Sequence, residues 1–197
     1  MVLIPRFLSA LLFAAHFAAV SIAHADAKPE GLITAARGQI GVTLTYDAAY
    51  VDLPYPGGDV PKEKGVCTDV VVRAFREQGV DLQKEVHEDM KRNFSEYPKK
   101  WGLKKPDPNI DHRRVPNLMT YFRRQGWAQP ISKKAENYAP GDLVTWDLVA
   151  GTLPHVGIVS DKKSADGVPL ILHNIGRGAQ EEDILFQYTI TGHYRLK

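Results

Sequence analysis

Cys67 is the residue whose type and position most directly suggest chemistry. It is the only cysteine of the 197-residue chain, and it follows a segment at 50–66 that is too rich in Pro and Gly for regular structure. The apolar spacing after it predicts a helix that ends near Gly79. A thiol at a helix N-terminus lies at the positive end of the macrodipole, so we expect a lowered pKa and a nucleophile beside free backbone N–H groups. The alternative is a buried structural cysteine.

Two histidines are placed where they could handle the proton of this thiol. His155 begins an apolar, β-branched segment at 155–160, and His173 ends the next such segment at 170–173. If these strands are antiparallel neighbours, both imidazoles meet at one end of the sheet. The sequence therefore predicts Cys67, His155 and His173 as nucleophile, base and orienting residue.

Helices precede strands along the chain, and these elements must position the three residues. The predicted helices are 30–40, 67–79, 83–94 and 115–126, and the predicted strands are 143–147, 155–160, 170–173 and 188–196. This order predicts an α+β protein in which N-terminal helices pack on a small antiparallel β-sheet. Three tryptophans are expected mainly in its core: Trp101, Trp127 and Trp146.

The first 25 residues are typical of a secretory signal peptide. Arg6 supplies the positive charge, residues 7–22 are apolar, and residues 23–25 (Ala-His-Ala) form a small-residue cleavage site. A permanent membrane anchor is the alternative. We therefore expect a periplasmic or secreted protein without stable membrane insertion, whose residues 26–197 form a single domain with a helical and loop insert near 81–114.

Composition argues against several classes of partner and cofactor. The segment 26–197 carries 24 basic and 23 acidic residues, so it has no strong electrostatic reason to bind nucleic acid. One cysteine cannot form an intramolecular disulfide. The proposed chemistry requires no cofactor and no metal, and we expect a monomer.

The order of the motifs resembles the NlpC-type cell-wall cysteine peptidases. The matching elements are Cys67 at a helix start, residues 140–144 (Pro-Gly-Asp-Leu-Val), residues 155–159 (His-Val-Gly-Ile-Val) and His173. Residues 55–58 (Tyr-Pro-Gly-Gly) match a Tyr-x-Gly-Gly element of that family, and the resemblance extends over about 32–196. It implies a papain-like fold, a Cys67–His155–His173 triad, and peptidoglycan stem peptides as substrate. The chain looks closer still to an exported bacterial family known as a domain of unknown function.

Other residues are candidates for substrate binding or oxyanion stabilisation. The hydroxyl of Tyr55 is expected to help stabilise the oxyanion. Asp69 replaces a glycine of the family pattern and would oppose thiolate formation if it lies near the sulfur. Arg113 and Arg114 could hold a substrate carboxylate through bidentate bonds. The alternative for both arginines is a loop ion pair with Asp107 or Asp111.

Three other functions remain open from the sequence. A zinc peptidase could use His155, His173, His193 and Asp142, although no compact zinc-binding motif is present. A non-catalytic module could bind peptidoglycan on the same fold. The same triad could also carry out thioester or lipid acyl transfer.

Overall fold

The computed structural model describes residues 27–197 of the protein. The predicted signal peptide, residues 1–25, lies outside the described residues, so its assignment stays a prediction. Within residues 27–197, no helix has both the length and the apolar character needed to cross a membrane.

Four α-helices and three single-turn 3₁₀ helices occur in the described part of the chain. The α-helices are α1 (Pro29–Arg37), α2 (Cys67–Glu77), α3 (Leu82–Asn93) and α4 (Val115–Arg124). The 3₁₀ helices are Phe94–Glu96, Asp111–Arg113 and Ala135–Asn137. The predicted helices therefore exist, and each boundary agrees with the sequence pattern to within a few residues.

Six strands form the main sheet within residues 27–197. They are β3 (Ala128–Gln129), β4 (Leu143–Asp147), β5 (Pro154–Lys163), β6 (Pro169–Asn174), β7 (Ala179–Glu182) and β8 (Thr189–Tyr194). Their order across the sheet is β3-β8-β4-β5-β6-β7, and every neighbouring pair is antiparallel. A short parallel pair, β1 (Thr45–Tyr46) and β2 (Lys64–Gly65), precedes α2. The predicted α+β class is confirmed.

The two faces of the sheet bury different sets of side chains. Val156, Ile158 and Leu172 pack with α1, α2 and α4 in one apolar cluster that also contains Cys67. Trp146 and Val159 belong to a second cluster on the opposite face. This division follows from the alternation of side chains along a strand. It determines which strand residues can reach the start of α2.

The predicted insert packs against the rest of the molecule through α3. Asp81 caps this helix by accepting a hydrogen bond from the Gln83 amide at 3.2 Å. Leu82, Val86 and Met90 are buried in the same cluster as α2. The remainder of 95–114 is loop with two single 3₁₀ turns, so the insert covers the start of α2 from one side.

Candidate active site

Cys67 is the first residue of α2, as the sequence predicts, and only 3% of its surface is exposed. The backbone amides of Val156 and Thr68 and the hydroxyl of Tyr46 are near its sulfur and act to lower the pKa of the thiol. Burial raises the pKa of the Cys67 thiol to about 11, and the charge of Asp69 adds to this. The expectation of a lowered pKa is therefore wrong, because burial outweighs what the start of the helix contributes.

His155 and His173 meet at one end of the sheet. Because β5 and β6 are antiparallel neighbours, Nε2 of His155 lies 2.9 Å from Nδ1 of His173. Gly157 makes this contact possible, since a Cβ there would lie 2.5 Å from Cγ2 of Ile171 and 3.2 Å from Cβ of His173. The structure brings the two predicted histidines into direct contact, and their catalytic roles stay a prediction.

Both imidazoles are buried, and this controls their protonation. Burial, with a smaller contribution from the neighbouring His173, lowers the pKa of His155 to about 3. Burial also lowers the pKa of His173, against the effect of the Glu182 carboxylate. At neutral pH the resting site therefore contains a neutral thiol and two neutral imidazoles rather than a thiolate–imidazolium pair.

The start of α2 packs on β5 beside the residue that follows His155. Val156 directs its side chain into the cluster that contains Cys67. His155 leaves the strand on the side of Trp146, with ring centroids 5.9 Å apart. Among the residues that the structure describes, no hydrogen bond joins the thiol to the imidazole of His155. Catalytic hydrogen bonds are often incomplete before substrate binds.

Asp69 and Arg113 form a buried ion pair instead of a substrate-binding pair. The Arg113 guanidinium donates to both carboxylate oxygens of Asp69, at 2.9 and 3.0 Å, and both side chains are almost fully buried. Asp69 also accepts from the Val66 amide at 2.6 Å, which caps α2. Arg113 further donates to the carbonyls of Asp47 and Ala49. The pair therefore fixes the start of α2 to the loop after β1, and Asp107 and Asp111 are not the partners of Arg113.

Arg114 and Tyr55 also lie differently from their expected places. The Arg114 guanidinium lies over the ring of Trp101 at 4.2 Å and 3.7 Å from Asp111, which matches the alternative loop ion pair. The Tyr55 hydroxyl lies 3.0 Å from Glu88 on α3. The phenol placed beside the Cys67 sulfur is that of Tyr46. Sequence reasoning did not single out Tyr46.

A groove of about 440 Å³ runs between the insert, α4 and the turn that joins β4 to β5. Its lining includes Lys100, Trp101, Met119, Arg123, Asp147 and Pro154. Trp101 is 40% exposed, so its assignment to the core is wrong. Backbone amides of its own turn donate to the Asp147 carboxylate and lower its pKa, so the groove holds two cationic side chains, Lys100 and Arg123, against one carboxylate.

His193 and Asp142, the other residues of the zinc alternative, form a separate pair. Nε2 of His193 lies 2.6 Å from Asp142, and Arg195 donates to both oxygens of that carboxylate at 2.7 Å. Three or more metal-ligating side chains do not converge anywhere within 27–197. The carboxylate that the zinc alternative requires is already paired with a guanidinium.

The chain is similar to proteins of two bacteria. It is 63% identical over 160 residues, which are 81% of this chain and 78% of the relative, to the Escherichia coli (strain K12) "Uncharacterized protein YijF". A solved structure from Staphylococcus aureus, described as similar to a lipoprotein of the NLP/P60 family, shares 14% identity and a TM-score of 0.42. The comparison covers 90% of this chain, which spans 45% of the length of that structure.

A family model described as "Domain of unknown function (DUF1287)" matches residues 33–196. This match includes Cys67, both histidines of the site and the whole six-stranded sheet. The chain therefore belongs to the DUF1287 family.

Proposed function

We propose that this protein is an exported cysteine hydrolase that cleaves an amide bond in peptidoglycan stem peptides. The observation that carries the proposal is the 2.9 Å contact between the His155 and His173 imidazoles, on a strand whose next residue, Val156, packs in the same cluster as Cys67 at the start of α2. The NlpC-type order of the motifs supports the choice of substrate. Export is part of the proposal, because peptidoglycan lies outside the cytoplasmic membrane, and the predicted signal peptide would provide it.

The mechanism begins from the neutral state of the site. With a thiol pKa of about 11 and an imidazole pKa of about 3, a stable ion pair does not form before substrate binds. Proton transfer from Cys67 to Nδ1 of His155 therefore accompanies attack of the sulfur on the substrate carbonyl, and it requires substrate binding to bring together a thiol and an imidazole that are not hydrogen-bonded at rest. The Tyr46 hydroxyl and the Val156 amide, which are near the sulfur, are the donors assigned to the resulting oxyanion.

Collapse of the tetrahedral intermediate completes the cycle. The carbon–nitrogen bond breaks as His155 returns its proton to the leaving amine, and the sulfur remains acylated. Water then attacks the thioester, giving its proton to His155, and the carboxylic acid leaves as the thiol is restored. The reaction is a hydrolysis with no net oxidation or reduction.

The groove beside His155 supports an acidic peptide as the substrate. Pro154 lines the groove and directly precedes His155, so the groove extends to the start of the strand that carries the candidate base. Lys100 and Arg123 supply positive charge for the carboxylates of a stem peptide, and Trp101 supplies an exposed flat surface.

A second candidate is a module that binds peptidoglycan without cutting it. The raised thiol pKa and the contacts of Cys67 with Tyr46 and Val156, rather than with His155, favour this alternative. It shares the groove and the fold with the hydrolase but requires no proton transfer.

Digestion of purified peptidoglycan separates the two candidates. The protein produced from the full-length sequence and its Cys67→Ala variant are incubated with sacculi, and released fragments are identified by mass spectrometry. The hydrolase proposal expects new peptide termini from the wild type and none from the variant. Sedimentation with sacculi measures binding in parallel. Binding by both proteins without cleavage by either would establish the module instead.

A further inference from the structure

Glu182 extends the histidine pair into a longer hydrogen-bonded chain. It lies on β7, which pairs with β6, and its Oε2 is 3.1 Å from Nε2 of His173. Its other oxygen contacts Arg177, whose side chain is 74% exposed. The order of contacts is thus His155, His173, Glu182 and Arg177, running from the buried base to the surface.

The direction of each hydrogen bond follows from the carboxylate. An ionised carboxylate only accepts hydrogen bonds, so Nε2 of His173 carries a proton and donates it to Glu182. Neutral His173 then has a lone pair at Nδ1, which accepts from Nε2–H of His155. The remaining nitrogen of His155, Nδ1, is therefore unprotonated and is the atom able to accept the thiol proton.

We propose that Glu182 is a positioning residue that fixes the tautomers of both histidines and thereby makes Nδ1 of His155 the basic atom. The effect of these tautomers on catalysis rests on the proposed function. The tautomers themselves are a property of the folded protein and can be measured without it. Glu182 also provides a negative charge at the far end of this hydrogen-bonded series when His155 becomes protonated during the reaction.

The alternative is that Glu182 serves only to form an ion pair with Arg177, but this role does not explain its contact with His173. The exposed Arg177 can find water or other acceptors, and surface ion pairs contribute little to stability. His173 is fully buried, and Glu182 is the partner of its Nε2. A buried N–H without an acceptor is costly, so the contact with His173 is the one that constrains Glu182.

Nitrogen-15 NMR of the imidazoles tests the tautomers directly. We expect the wild type to show both histidines protonated at Nε2 and unprotonated at Nδ1. Glu182→Gln keeps an acceptor oxygen but removes the charge, so it should keep these tautomers. Glu182→Leu removes the acceptor and should produce the Nδ1–H form of His173. Asp183→Asn, which removes a carboxylate from the adjacent exposed residue, is the matched control and should change neither ring.

Kinetics on peptidoglycan fragments then measure the consequence of the tautomers. We expect kcat to fall about tenfold in Glu182→Gln and about a hundredfold in Glu182→Leu, the range for removal of a histidine's outer partner, with KM unchanged. Thermal unfolding confirms that each variant is folded. Unchanged nitrogen shifts in folded Glu182→Leu would overturn the proposal, as would Nδ1–H tautomers in the wild type. If the wild type has no hydrolase activity, the proposed function fails while the NMR result still decides the tautomers.

Discussion

Two histidine–carboxylate pairs lie in the same sheet, and they differ in what surrounds the imidazole. In the first, His173 bonds to Glu182 and to His155, and Nδ1 of His155 has no hydrogen-bond partner among residues 27–197. In the second, both ring nitrogens of His193 face oxygen acceptors, Asp142 at 2.6 Å and the Pro130 carbonyl at 3.3 Å.

Under the proposed function, this difference separates a pair that exchanges a proton with the thiol from a pair that stabilises the fold. A general base needs a nitrogen with a lone pair directed at the reacting group. The hydrogen-bonded series of side chains that ends at His155 retains such a nitrogen. The next residue along the strand is Val156, whose amide is near the thiol. In His193 both ring nitrogens face oxygen atoms of the protein, so neither is open to a reacting group, and Arg195 pairs with its carboxylate partner. Burial and the presence of a carboxylate are common to both pairs, so neither feature alone identifies the active site.

The largest expected effect comes from comparing the replacement of His155 with the replacement of His193. His155→Gln should reduce hydrolysis of peptidoglycan fragments by about 10²- to 10⁴-fold, because it removes the base. His193→Gln should keep most of the activity and lower the free energy of unfolding by about 1–3 kcal/mol, because it leaves a buried acceptor without its donor. Initial rates and urea unfolding, measured on both variants, check the prediction. Equal losses of activity in folded proteins would show that the two pairs do not differ in role.

The second prediction concerns acid stability of the His193 pair. Burial raises the pKa of Asp142, but hydrogen bonds from Arg195, His193 and the Ala139 amide outweigh burial and hold it below its usual value. A carboxyl with a lowered folded-state pKa stabilises the protein above its unfolded pKa, near 4, and loses this contribution as the pH falls further. Asp142→Asn should therefore lower the free energy of unfolding at pH 7 by about 3 kcal/mol.

The variant should also lose less stability than the wild type between pH 5 and pH 2, because the group that titrates is gone. Urea unfolding at a series of pH values measures both effects. Asp183→Asn, in which an exposed carboxylate is removed, is the control and should follow the wild type. A wild-type stability that does not decrease below pH 4 would contradict the assignment of Asp142 as a paired, ionised group.

The sequence predicts those parts of the fold that depend on local pattern. The strand that begins at His155 and the helix that begins at Cys67 follow from runs of apolar residues next to turn-forming ones. The contact between His155 and His173 follows if the two strands are antiparallel neighbours, because the first residue of one then lies near the last residue of the other. β7 was not predicted, because residues 179–182 (Ala-Gln-Glu-Glu) are polar and lie at the edge of the sheet, where alternation of apolar residues is weak.

The sequence could not predict features of the site that depend on residues far apart along the chain or on how deeply a side chain is buried. Asp69 and Arg113 are 44 positions apart, and only the folded insert brings them together. The pKa of the thiol depends on how deeply Cys67 is buried, which a position at the start of a helix does not reveal. Glu182 was missed together with the strand that carries it.

The smallest expected effect distinguishes two tyrosines, and it tests whether structure or motif locates the oxyanion donor. Tyr46 faces the Cys67 sulfur and lowers the pKa of the thiol, whereas the Tyr55 hydroxyl is hydrogen-bonded to Glu88.

Tyr46→Phe should raise the thiol pKa by about one unit, because it removes one hydrogen bond to the charged form. Alkylation by iodoacetamide, followed as a function of pH, should then slow about tenfold at pH 8, while Tyr55→Phe alkylates like the wild type. Each variant removes one phenolic oxygen, so the comparison holds the chemical change constant and varies only its position. A slower Tyr55→Phe beside an unchanged Tyr46→Phe would mean that residues 55–58 supply the donor after all, and that the phenol beside the sulfur serves only to pack against it.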